Sequence, residues 1–159
     1  MISPLDRKLL RDIGKMKGQV VAVSLVMACD LAICAESAVF TMAYTRAGLS
    51  PDGSSTFYMP RKIGDRRTRE LMLTNRLLKA PEALEWGIVN RVVPDTEVLA
   101  EAMKLARELA AGPTRSFGAV KTLLNGTFEQ TLESQMELEA RSIADLARSP
   151  DGQEGIRAF

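Results

Sequence analysis

The chain has 159 residues, of which 46% are hydrophobic and 26% charged, with a formal net charge of +1. That length supports one domain with its own core, and the composition is that of an ordinary globular protein. The near-neutral charge argues against a nucleic-acid or anionic-membrane partner, and the absence of histidine removes Ser-His-Asp and Cys-His catalysis and the commonest zinc sites.

In chain order, Leu5, Leu9, Leu10 and Ile13 recur at helical spacing and predict a polar helix over Pro4 to Lys17. Short β-branched or apolar runs predict strands at Gln19 to Val23, Asp30 to Ala35 and Val39 to Ala43, with Ser24 to Ala28 open between strand and helix. Cys29 and Cys34 fall in this stretch and read as buried, reduced thiols. Ser50-Pro51-Asp52-Gly53 is a turn signal, after which Ser54 or Ser55 caps a helix towards Ile63 that Pro60 kinks or ends early. A helix over Asp65 to Asn75, an extended step at Leu77-Leu78, a helix from Pro81 to Gly87 and a strand over Ile88 to Val93 follow. From Asp95 the pattern is helical. One helix closes at Gly112-Pro113, a second runs from Thr114 to Leu124, and a third begins at a Thr127/Gln130 capping box. The third carries a stripe of Leu132, Met136, Ala140, Ile143 and Leu146, pairs Glu137 with Arg141, and breaks at Pro150-Asp151-Gly152. Long apolar stripes of this kind must bury against the chain's own sheet or a neighbouring subunit. No apolar run reaches the roughly 20 residues of a membrane span, and Met1 to Gly18 lacks the apolar centre of a signal peptide, so a cytoplasmic protein is expected.

Four segments carry a resemblance. Ala28-Cys29-Asp30 through Ala35 to Phe40, then Ala47-Gly48-Leu49-Ser50-Pro51-Asp52-Gly53, then Glu82-Ala83 to Trp86-Gly87-Ile88-Val89-Asn90-Arg91-Val92-Val93, and finally Pro150-Asp151-Gly152 to Glu154-Gly155 and Ala158-Phe159 stand in the order found in the enoyl-CoA hydratase/isomerase (crotonase) superfamily. The chain resembles the C-terminal half of that family, nearest to its isomerase-like members. The resemblance implies an α/β fold: a partial crotonase-like spiral β-β-α core followed by a C-terminal helical trimerisation layer. It divides the chain into a polar N-terminal helix (1–18), a partial core (19–94) and the helical layer (95–159). It also implies acyl-CoA binding, with the coenzyme A thioester as substrate and no further cofactor or metal. Two backbone N–H groups are expected to stabilise an enolate. A homo-trimer or hexamer, or co-assembly with a longer homologue, is the expected state.

Hydratases of the family use two glutamates, which by resemblance fall at Ser24 and Tyr44; neither can serve as a carboxylate. Isomerase-like members place an acid where this chain has Asp52. One carboxylate suffices for a double-bond shift, taking a proton from C2 and returning it at C4. An apolar pocket suits that role, whereas a helix N-terminus favours the anion. By itself, Pro51-Asp52-Gly53 reads as a plain turn, and it is the family position that adds the catalytic reading. Tyr44 is either an acyl-site residue or a half-buried loop tyrosine, and Ser24 is a substrate-site position or a structural serine. Lys121 either meets CoA phosphates or is a solvated helix lysine. The basic run Arg61, Lys62, Arg66, Arg67 and Arg69 reads as a solvated face or a phosphate-facing patch.

The segment before Ser24 departs from the family: glycines that let a backbone N–H approach the thioester are gone from Gln19 to Val23. The other donor, and much of the CoA site, lie in a region that would precede this chain. Three accounts follow: a shortened, impaired product of a longer isomerase-like gene, a non-catalytic paralogue that assembles with full-length subunits, or a weak isomerase working through Asp52.

Overall fold

A computed structural model describes residues 23–158. The expected helix over Pro4 to Lys17 and most of the strand over Gln19 to Val23 lie outside them; Val23 itself is helical. The described residues fall into two compact units, one ending at Ala102 and the other beginning at Met103.

The first unit joins short strands across long stretches of sequence. Strand β1 (Ile33–Ala35) pairs in parallel with β4 (Arg91–Val93), matching Ile33 to Arg91, Cys34 to Val92 and Ala35 to Val93. A parallel pair needs a long crossover, and here it contains three helices: α2 (Ser55–Ile63), α3 (Asp65–Thr74) and α4 (Ala80–Glu85). The ladder is extended at both ends, by Asn90 N–H to Ala32 O at 2.8 Å and Glu36 N–H to Val93 O at 2.9 Å. Strands β2 (Val39–Phe40) and β3 (Leu78–Lys79) pair antiparallel. Helix α1 covers 23–28, resolving the open stretch in favour of helix. Met27, Met42, Met59, Leu71 and Leu78 are fully buried between these elements. Methionine is unbranched and adapts to irregular gaps, which suits a core lined by such short strands.

Several elements differ from the sequence-based expectation, each for a local reason. Cys29, whose N–H closes α1 on Leu25 O and Val26 O, is exposed; Cys34 is buried, and both thiols are free. Pro60 sits inside α2 without ending it. Ile88 and Val89 are not strand. Gly87, at φ +77, donates to Leu84 O, and Ile88 N–H reaches Ala83 O at 2.9 Å, which is a Schellman closure of α4 with Ile88 and Ala83 both buried.

In the second unit, the C-terminal part of α5 (Val98–Ala111) is followed by α6 (Thr114–Gly126) and α7 (Leu132–Ala147). Thr131 rather than Thr127 caps α7, accepting Ser134 N–H, while 127–129 forms a 3-10 turn. Pro150 starts a helix, α8 (Pro150–Ala158), where a break was expected. Proline is pre-shaped for a first helical turn, and the buried Ser149 Oγ accepts Gly152 N–H at 3.1 Å. The expected Glu137–Arg141 pair forms at 2.8 Å. Only Ser149 is buried among the described residues of this unit.

Two carboxylates of the first unit are held by side-chain contacts, one local and one across 58 residues. Glu82 takes a two-pronged contact from Arg76, which also bonds Glu70 and lies over the Trp86 ring. Asp95 accepts both the N–H and the hydroxyl of Ser37. Arg76 holds Glu82, and Ser37 holds Asp95, below the ordinary carboxylate range. A carboxylate whose folded value is depressed contributes stability above its unfolded value and loses that contribution as the pH falls. Thermal unfolding should therefore be flat at neutral pH, with Tm dropping as the pH passes below the ordinary values of 4.5 and 3.8. An unchanged Tm at pH 3.5 would contradict both assignments.

Candidate active site

The loop after β2 and the turn before α2 bring three side chains together. Tyr44 is buried, 8% exposed, and its phenol O–H donates to Asp52 Oδ1 at 2.5 Å. Asp52 itself is exposed. Its carbonyl is fixed by Ser55, whose N–H reaches it at 3.2 Å and whose hydroxyl reaches it at 2.8 Å. Ser55 is fully buried, so the turn is anchored from inside while Asp52 as a whole stays exposed.

Ser24 comes from α1 and is buried against this turn. A Cβ at Gly53 would stand 2.9 Å from Ser24 Cβ and 3.1 Å from its Oγ, and Gly53 has φ +59. The position thus excludes a side chain twice over, by space and by backbone conformation. Gly53→Ala should cost about 1–3 kcal/mol of unfolding free energy, read by denaturant titration; a cost near zero would show that the loop is free to move off Ser24.

Burial is the main reason the Tyr44 phenol titrates above its ordinary range, and the hydrogen bond to Asp52 adds to it; a hydrogen bond with Ser24 works the other way. Tyr44 is therefore a neutral donor at physiological pH. With Oδ1 engaged by the phenol, Asp52 Oδ2 has no hydrogen-bond partner among the described residues. The cluster offers one carboxylate and two hydroxyls, an arrangement suited to moving one proton rather than to adding water between two acids.

Ser24, Tyr44 and Asp52, which sequence reasoning treats as separate candidates, thus share one cluster. Tyr44 is buried rather than half-buried. Lys121 lies in the second unit, exposed on α6. The basic run is dispersed: Arg61 stacks over the Phe57 ring, Lys62 donates to Cys29 O, Arg67 faces Trp86 and Glu85, and Arg69 pairs with Asp65. Sequence reasoning missed Asn75, which is buried with φ +53 at the end of α3. An asparagine closing a helix pattern is the signal that could have found it.

Comparison with known proteins places the chain in a family. Residues 12–159 match the family model described as enoyl-CoA hydratase/isomerase. The chain belongs to that family. It is 40% identical over 137 residues to 4-chlorobenzoyl coenzyme A dehalogenase-1 of Arthrobacter sp., covering 86% of this chain and 50% of that protein. With the 1,2-epoxyphenylacetyl-CoA isomerase of Escherichia coli it shares 38% identity, covering 86% and 52%. The crystal structure of an enoyl-CoA hydratase from Polaromonas sp. JS666 superposes with a TM-score of 0.83 at 32% identity, covering 87% of this chain and 54% of that one. The fold is accordingly a partial crotonase fold, and the chain spans about half the length of the relatives it matches.

Proposed function

We propose that the chain acts on an enoyl-CoA thioester and shifts its double bond, with Asp52 as the carboxylate that carries the proton. The observation that supports this most is the cluster itself: Asp52 stands beside Tyr44 and Ser24, which supply only hydroxyls. In the proposed step the C2–H bond of a 3-enoyl thioester breaks towards Asp52 Oδ2, and its electron pair delocalises into the thioester as an enolate. Collapse of the enolate forms C2=C3, the former C3=C4 pair takes the proton from Asp52 at C4, and the carboxylate is regenerated. The phenol of Tyr44 holds the other oxygen throughout, so the carboxylate keeps one orientation towards both carbons.

The relatives named for chlorobenzoyl and epoxyphenylacetyl thioesters favour including an aryl-substituted 3-enoyl-CoA among the substrates tried. Lys121 is the proposed phosphate contact for the CoA. Formation of the conjugated 2-enoyl thioester, followed by absorbance with the folded 159-residue chain, tests the reading; folded protein without turnover sinks it.

A second reading rests on a different observation. Val120, Leu124, Leu132, Met136 and Ile143 are exposed, and Ala119, Leu123 and Ala140 join three of them in lining an apolar groove between α6 and α7. Such a surface supports assembly, as a homo-trimer or hexamer or with a longer homologue, whether or not the chain is catalytic. Among the described residues no helix is long and apolar enough to cross a membrane, and a cytoplasmic place remains part of the proposal.

A further inference from the structure

We propose that Asn75 is a positioning residue for the Tyr44–Asp52 pair, acting through the turn that follows Tyr44. The inference rests on the isomerase reading for its kinetic consequence and on the hydrogen bonds alone for its structural one.

Asn75 is 6% exposed, so its amide must find partners inside the protein. It finds them on the segment beside Tyr44. Nδ2 donates to Thr45 Oγ1 at 2.5 Å, and Oδ1 accepts Arg46 N–H at 3.3 Å. Thr45 in turn donates its hydroxyl to Met72 O at 2.8 Å, one turn back in α3. The Asn75 carbonyl accepts from Arg46 Nη2 at 3.1 Å. The two residues after Tyr44 are thus pinned to the C-terminus of α3 by side chain and backbone. Tyr44 O itself takes the N–H groups of Ala47 and Leu49. With that backbone pinned, the phenol has a defined reach to Asp52 across eight residues of sequence.

Asparagine meets the backbone, donor and acceptor demands of this position together. The backbone is left-handed, which glycine, asparagine and aspartate tolerate. Glycine has no amide to clamp the turn. Aspartate keeps an acceptor for Arg46 N–H but has no donor for Thr45.

The test uses the full chain with 13C-labelled tyrosine, observing the Tyr44 ring, whose signals are assigned by their loss in Tyr44→Phe. In Asn75→Gly the phenol titration should fall back towards the ordinary tyrosine value and the ring signals should broaden, with far-UV helicity retained. Where the chain turns over a 3-enoyl-CoA, Asn75→Gly should lower kcat about tenfold with KM little changed. In a Tyr44→Phe background the same substitution should cost less than about twofold, because the hydroxyl it positions is already gone. Thr45→Val should reproduce the effect and Thr45→Ser should restore it, which keeps the proposal testable if Asn75→Gly does not fold. An unchanged Tyr44 titration in folded Asn75→Gly or Thr45→Val overturns the proposal, as does full additivity with Tyr44→Phe. Absence of turnover in the unaltered chain fails the isomerase reading alone, since the tyrosine titration needs no activity.

Discussion

Asp52→Asn should remove the double-bond shift, lowering kcat by about 10²–10⁴-fold, the usual range for losing a positioned general base. The substitution is close to isosteric and leaves the local structure its main supports. The turn is closed through the Asp52 carbonyl, to which Ser55 donates both its N–H and its hydroxyl, and neither bond involves the carboxylate. An amide oxygen can still accept the Tyr44 phenol. What is lost is the oxygen that takes the C2 proton in the proposed step. Binding of a non-reactive acyl-CoA, measured by calorimetry, should stay within about threefold of the unaltered chain, so the loss falls on kcat. Tyr44→Phe supplies the contrast. It keeps the buried ring and removes only the donor, so it should cost less than Asp52→Asn, of the order of tenfold. If turnover survives in Asp52→Asn, Asp52 is the turn residue that Pro51-Asp52-Gly53 also allows, and the proton is carried elsewhere.

What the sequence disclosed, and what it hid, divides along the range of the interactions involved. Helix α2 reaches Ile63, the end its pattern marks, despite the early stop expected at Pro60, because Gly64 follows at φ +82 and donates its N–H to Pro60 O. The family segments also placed the fold, because turn glycines and strand ends are local in sequence. Ser24 to Ala28 stayed open since an apolar run of that length fits a strand or a helix equally; burial of Val23 and Met27 on one face, four residues apart, decides it. Thr127 and Thr131 both carry a capping hydroxyl, and the one that meets a free N–H can only be read from the backbone. The site shows the same division. Asp52 is marked by a local motif. Its bond from Tyr44 and the clamp from Asn75, 29 to 34 residues away from its partners at Thr41, Thr45 and Arg46, follow from packing that no periodicity encodes.

The exposed face of the second unit leads to the other large effect. Met136 and Ile143 are seven residues apart on α7 and so share a side of the helix; they are 58% and 70% exposed. Single exposed apolar side chains are unremarkable, but these two line the same groove with Val120, which is also exposed, and Leu124 and Leu132 extend the exposed apolar set on α6 and α7. Burying a side chain of this size contributes about 1.5–3 kcal/mol, so two that are covered on association and then made charged should weaken it by about 100-fold or more. The expected result is that the unaltered chain runs as a multi-chain particle in light scattering after gel filtration, and that Met136→Glu/Ile143→Glu shifts it to the mass of one chain. Glutamate is a good helix former and both sites face outward, so helicity should be retained. The variant thereby separates assembly from folding. It also leaves the proposed proton-transfer residues unaltered, because Asp52, Tyr44, Ser24 and Asn75 all belong to the first unit. A dissociated variant that keeps turnover would show that one chain suffices for the proton transfer. A dissociated variant that loses turnover while the Tyr44–Asp52 contact persists would mean that a neighbouring copy completes the thioester site. If the unaltered chain is already a single-chain species at high concentration, the apolar face has no self-partner and the homo-oligomer reading falls.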